Sequence, residues 1–289
     1  MSIMQITVEC SKPMLLRTYL RGHVGISARL LTRLKSTPNG ILCNDNPIRV
    51  IDLVQNGDVL LLHLPEQPSF SETCSRDVPV IWESDALVIY NKPTGMPVHP
   101  SARHRDDTLA NVFAAQYPDC AFHALFRLDR NTSGLCAIAK SAYAAHHLQG
   151  IFQKKYYAMV AAGLSDSGTI CAPIGRTADS VITRCVRSDG KNAVTHYRIL
   201  LETPQYSLAE LTLETGRTHQ IRVHMAHIGH PLLGDDLYGG DCSLISTHAL
   251  HCGTLQFTEN SETHILHAPL REDMAALLPA GYSLFESNH

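Results

Sequence analysis

What this 289-residue chain lacks narrows its class. No apolar run approaches the roughly twenty residues of a membrane span. The start Met1-Ser2-Ile3-Met4-Gln5 has neither the basic residues nor the apolar core of a signal peptide, so the cytoplasm is the expected compartment. The nine cysteines, an odd number, include no Cys-x-x-Cys pair, which excludes an obvious disulfide framework or thiolate zinc site and leaves small, mostly buried thiols. A basic excess is also missing, because the net charge is −3. No internal repeat or low-complexity tract interrupts the chain.

What is present describes an ordinary globule, 44% hydrophobic and 18% charged, long enough for one large domain and a small one. The average charge hides a gradient. Residues 1–50 carry seven bases against two acids, whereas residues 241–289 carry six acids against one Arg. Such asymmetry permits a local phosphate-binding face on a protein that is acidic overall. Near the start, Leu15, Leu16, Tyr19 and Leu20 form one helical face, and Ser27 is placed to cap a second helix carrying Leu30, Leu31 and Leu34. β-like stretches are expected at 41–43, 48–53 and 59–64. This basic 1–65 module resembles the small RNA-binding domain that fronts many RNA-modifying enzymes; an α+β cap with solvated bases has the same pattern. Pro65, Pro68, Ser69 and Ser71 mark a linker over 66–78, and a second domain is expected over 79–289. There, strands are expected at 86–91, 135–139, 156–160, 195–201 and 208–213, and helices at 108–117, 142–152 and 217–228. Because strands and helices do not alternate regularly, the expected class is α+β, with a mixed, mostly antiparallel central sheet and flanking helices.

The richest segment is Phe126-Arg127-Leu128-Asp129-Arg130-Asn131-Thr132-Ser133-Gly134. Two guanidinium groups flank one carboxylate, and Asn131, Ser133 and Gly134 supply turn chemistry that lets a side chain project. Alone, an Arg-Leu-Asp run reads more readily as a surface turn with an ion pair than as a nucleophile, and the segments elsewhere in the chain reverse that preference.

Three more segments accompany it in order: Tyr90-Asn91-Lys92-Pro93-Thr94-Gly95-Met96-Pro97-Val98-His99-Pro100, Lys155-Tyr156-Tyr157-Ala158, and Thr215-Gly216-Arg217-Thr218-His219-Gln220-Ile221-Arg222-Val223-His224. Together they resemble the pseudouridine synthase family, in the branch acting on ribosomal and transfer RNA, over roughly residues 80–275. The resemblance implies the pseudouridine synthase fold and isomerisation of uridine to pseudouridine in rRNA or tRNA. It implies Asp129 as the nucleophile or base on the ribose, Tyr157 as the stacking residue, and Arg222 as the partner of Asp129. If its segment is helical, Arg222 shares a face with Thr218 and Ala226, so a solvated Arg is the competing reading. Arg127, Thr132, Arg217, Thr218 and His219 are expected to shape the loop or touch RNA, with Lys92 and His99 as weaker candidates. Phe126 replaces the family's usual His, which puts the holding of the flipped nucleotide in doubt and leaves stacking or wedging as its means.

The reaction breaks N1–C1′, turns the uracil and joins C5 to C1′, with no atom entering. It requires a carboxylate, a proton acceptor, a flat surface and exclusion of water, but no cofactor or metal. Two rivals remain. His219, His224, His227 and His230 suggest a metal hydrolase, although their spacing is not His-Glu-x-x-His. A non-catalytic RNA-binding relic is the other. RNA is the expected partner, with no membrane, no obligatory protein partner and a monomeric state.

Overall fold

In the computed structural model, residues 2–26, 28–64, 74–177, 180 and 182–285 are described; Ser27 and most of the expected 66–78 linker lie outside them.

The first 64 residues build a four-stranded antiparallel sheet in the order Ser2–Thr7, Val59–Leu64, Ile41–Cys43, Asn46–Pro47, with helices Leu16–Gly22 and Ala28–Ser36. Alternation along Val59–Leu64 turns Leu60, Leu62 and Leu64 inward, where they share a core with Leu16, Leu20 and Leu34. The stretch expected as a strand over 48–53 is mostly a turn. Asp52 accepts from the Arg49 backbone N–H at 2.9 Å and from its guanidinium at 3.1 Å, and these local bonds displace ladder pairing. Only Leu53–Val54 pairs, with Met14–Leu15.

The rest of the chain is organised by a ten-stranded sheet. Its path runs Ser167–Cys171, Val194–Glu202, Tyr206–Leu213, Gln153–Ala161, Leu250–Glu259, Ser133–Ala139, Leu87–Lys92, Val80–Glu83. Glu262–His267 and His123–Ala124 add side pairings. All described pairings in this sheet are antiparallel except one, Ser133-Gly134 against His251-Cys252, so the class is α+β with a mixed, mostly antiparallel sheet. That parallel contact needs its glycine. Gly134 has φ +104°, and a Cβ there would lie 2.3 Å from the Cys252 carbonyl oxygen.

Ser133–Ala139 is buried at every residue and shares one core with helix Leu109–Gln116. Thr108 and Asn111 form a reciprocal cap at that helix's start, satisfying two free N–H groups. The helix expected over 142–152 is shorter, Ala142–His147. Leu148 and Phe152 turn into the core as the chain enters Gln153–Ala161. A C-terminal hairpin, not anticipated from the sequence, closes the sheet's middle through Asn260 and Ser261, both at positive φ.

Candidate active site

Asp129 sits just ahead of the parallel contact, on a loop clamped from behind. Lys92, fully buried, donates to the carbonyls of Met96 at 2.8 Å, Pro93 at 2.9 Å and Arg130 at 3.1 Å. Thr94 and Arg271 donate to the Asn131 carbonyl, at 3.0 and 3.3 Å. Thr132 and Ser133 meet the rings of His248 and His251 at 2.9 and 2.8 Å. Each residue from 130 to 133 therefore has a partner inside the protein, through its carbonyl at 130 and 131 and its hydroxyl at 132 and 133, so the loop carries Asp129 on a braced base.

Across the cleft, helix Gln220–His227 begins three residues later than expected. Gln220 explains the delay, because its carboxamide accepts from Arg217 N–H and Thr215 Oγ1 and donates to Val194 and Thr195, holding 215–219 as a loop. His219 takes the left-handed conformation at the helix start, φ 57°, an uncommon state for a residue with a Cβ.

Arg222 donates through Nε and Nη2 to both oxygens of Asp235, each at 2.7 Å, and its Nη1 lies 3.5 Å from Asp129 Oδ2. Burial works against the guanidinium's charge, but the bonds and charge of Asp235, with the charge of Asp129, outweigh it and raise the Arg222 pKa. His219 Nε2 is 3.7 Å from the same Asp129 oxygen, and its Nδ1 meets the Tyr238 hydroxyl at 2.8 Å. Burial lowers the His219 pKa, with Asp129 pulling the other way. Asp129 is thus flanked by cationic and polar groups at ion-pair distance while its side chain keeps 29% exposure. Its oxygens remain accessible to a ligand.

The cleft is lined by Arg127, Asp129, Thr132, Arg217, His219 and Arg222, together with Leu128, Tyr156, Leu213, Gln220, Ile221 and Leu250. Six of the expected residues therefore converge. Thr218 lies next door, in an adjoining groove that Arg217 also borders.

Two expectations are corrected. Tyr157 does not face Asp129; Tyr156 does. Successive residues of strand Gln153–Ala161 point to opposite faces, and Tyr157 lies on the far face. Its ring packs over Gly253, where a Cβ would come within 2.6 Å, and its hydroxyl meets Thr254 Oγ1 at 3.0 Å. Phe126 does not line the cleft either. It packs edge-on against Phe152 at 5.7 Å, with the Lys154 ammonium 4.8 Å above its ring. Of the weaker candidates, Lys92 is a clamp and His99 packs edge-on against Phe122.

The sequence reading gave no role to Tyr156, Asp235 or Tyr238. Tyr156 is buried, which holds its phenol well above the ordinary range, so it offers the cleft a flat, protonated ring. The histidines that suggested a metal site do not converge: His224 is bound at both ring nitrogens by Thr195 and Ala172, His230 by Ala161. Among the described residues, no group of three potential ligands is placed to hold a metal ion. Among the same residues, no helix is long and apolar enough to cross a membrane.

The RNA pseudouridylate synthase family matches residues 86–227. The uncharacterized RNA pseudouridine synthase YjbO of Bacillus subtilis is 36% identical over 271 residues, covering 89% of this chain and 96% of its own. Ribosomal large subunit pseudouridine synthase D of Pseudomonas aeruginosa is 39% identical over 204 residues, covering 67% of this chain and 63% of its own. The solved structure of human RNA pseudouridylate synthase domain containing 1 superposes with a TM-score of 0.56 at 25% identity, over 67% of this chain and 83% of that one. With the fold in agreement with these likenesses, the chain belongs to the RNA pseudouridylate synthase family, enzymes whose substrate is RNA.

Proposed function

We propose that this enzyme converts a uridine of structured ribosomal RNA to pseudouridine in the Asp129 cleft. One observation carries the reading: among the described residues lining the cleft Asp129 is the single carboxylate, and Arg222 and His219 flank it at 3.5 and 3.7 Å, without a short hydrogen bond from either. Its oxygens can therefore reach a ribose. Asp129 either attacks C1′ or removes the C2′ proton, and both routes use the same placement. The N1–C1′ bond breaks, the uracil turns, C5 joins C1′, the C5 proton leaves and N1 gains one. A carboxylate suits the positive character that develops at C1′.

Tyr156 supplies the flat surface that retains the ring in transit. Its protonated phenol makes it a stacking group and a poor base. Arg127, Thr132 and Arg217 are placed at the rim and wall of the cleft to contact the flipped nucleotide, with His219 beside the carboxylate. Ribosomal RNA as the substrate class is supported by the Pseudomonas aeruginosa relative, named for the ribosomal large subunit, and a ribosomal substrate fits a cytoplasmic enzyme. The 1–65 module adds an RNA-binding surface, supported by Arg17, Arg21 and Lys35 around one groove of its helices.

Tritium release from total RNA labelled at uracil C5, taken from cells lacking the protein, tests the reading. Stoichiometric release by wild type is expected. No release, with RNA still bound, would favour a non-catalytic relic.

A further inference from the structure

Beside the cleft, and outside every residue assigned above except Arg217 and Thr218, lies an open groove built from three segments. The hairpin Ile174–Arg176 with Arg184–Val186 forms one wall, loop 187–192 a second, and loop 215–219 the third. Arg176, Arg184, Lys191 and Arg217 border it, against one acid, Asp189. That acid is already matched: Arg187 binds both its oxygens, through Nε and, at 2.7 Å, through Nη2. Among the described residues, four bases thus border the groove and the one carboxylate lining it is neutralised, in a chain whose net charge is −3.

Backbone carbonyls anchor the groove's walls, and Arg184 donates Nη1 to those of Ile182 and Thr183 at 2.8 and 3.1 Å. Arg217 donates Nε to the Asn192 carbonyl at 3.0 Å, and Arg187 donates Nη1 to the Arg176 carbonyl at 2.8 Å, so neighbouring backbone holds the walls. Arg217 borders both groove and cleft, making the two one continuous surface. Gly216 adds an independent observation. Its φ is not left-handed, and a Cβ there would meet no atom within 4 Å. Among the described residues nothing requires a glycine at this point, whereas a backbone passing over the groove floor would.

We propose that this groove binds the sugar-phosphate backbone of the RNA strand adjoining the flipped uridine, with Arg176 and Lys191 as phosphate contacts and Gly216 as the point of close approach. The inference rests on the synthase reading for its ligand, since a nucleotide bound in the cleft must have flanking phosphates within a few ångströms. A protein partner with an acidic segment is the alternative occupant.

The test uses the full chain and fluorescein-labelled fragments of total ribosomal RNA. Arg176→Glu with Lys191→Glu changes exposed side chains only, and should lower the slope of log affinity against log salt by about 1.5, raising KM about tenfold in the tritium assay. Gly216→Val should melt with wild type yet bind RNA at least about fivefold more weakly. Asp189→Asn frees Arg187 and should tighten binding. An unchanged salt slope in the double variant, wild-type affinity in Gly216→Val, or weaker binding by Asp189→Asn each overturns the proposal. The salt slope judges the groove even if wild type releases no tritium, so failure of the enzymatic reading and failure of this one are told apart.

Discussion

Arg222 holds Asp235 at 2.7 Å through two nitrogens and reaches Asp129 with a third at 3.5 Å. The tighter pair is the fixed one, because Asp235 has no exposed side-chain surface and Arg222 has 7%. Asp235 therefore aims the guanidinium, and the guanidinium faces the Asp129 carboxylate. Asp235→Ala leaves a buried Arg with only its distant partner, a defect that costs about 3 kcal/mol. Urea unfolding should show that loss, and turnover should fall by more than tenfold at temperatures where the variant stays folded. Stability within about 0.5 kcal/mol of wild type would contradict this order of dependence.

Asp129 itself should behave oppositely. Its side chain makes no short bond in the described structure and is partly exposed, so Asp129→Ala should retain wild-type melting and RNA affinity while releasing no tritium. Appreciable turnover would remove it from the nucleophile or base role.

Lys92 sets the cost of burying a charge against the bonds that charge makes. Burial lowers its ammonium from 10.5 to about 8, a penalty of about 3 kcal/mol. Against that stand three bonds from a charged donor to carbonyls, worth roughly 5 kcal/mol together. Lys92→Met relieves the penalty and forfeits the bonds, so a net loss of about 2 kcal/mol is expected. Turnover should drop as well, since the Arg130 carbonyl is one of the anchors of the Asp129 loop. A stabilised Lys92→Met enzyme with full turnover would show that burial costs more than the three bonds return.

The tyrosine pair gives a test of which face of the strand is catalytic. Tyr156→Leu removes a buried ring from the cleft wall, so melting should fall, and turnover should drop at least about a hundredfold at temperatures where the variant stays folded. Tyr157→Phe loses one hydrogen bond, to Thr254, worth about 1 kcal/mol, and should keep turnover within about threefold of wild type. The reverse pattern in the tritium assay would mean that the base lies on the other face.

Period-two alternation states that Tyr156 and Tyr157 oppose each other, but not which one faces Asp129. That is settled by a strand roughly a hundred residues on, where Gly253 makes room for one ring and Thr254 binds its hydroxyl. No local pattern carries such information. Asp235 was hidden for a related reason: its partner stands 13 residues away across a turn, and nothing in Gly234-Asp235 marks burial. Asp129 stood out because its flanking charges and turn residues are local, whereas Arg222, between Ile221 and Val223, was singled out only by the family resemblance. The mixed sheet was legible because strand alternation is local too. Asn260-Ser261 between two β-rich runs was a readable hairpin signal that the sequence reading passed over.

His248 and His251, which brace the Asp129 loop through Thr132 and Ser133, make that brace dependent on pH. Burial, aided by nearby cations, pushes His248 down to about 2 and His251 to about 4. At pH 5 both rings are neutral in the folded protein, whereas histidines of the unfolded chain titrate near 6.5 and bind protons. Unfolding then takes up protons, so this contribution is complete above pH 6.5 and is lost as pH falls, the His251 share ending near pH 4 and the His248 share continuing below it. Each ring contributes a slope of about 1.4 kcal/mol per pH unit, or nearly 3 together, across the window where both differ. Urea unfolding at pH 7, 6, 5 and 4.5 measures it directly. His248→Gln keeps a partner for Thr132 but cannot titrate, so it should reduce the measured slope by about 1.4 kcal/mol per pH unit, and an identical slope in wild type and variant would mean that His248 is already protonated in the fold.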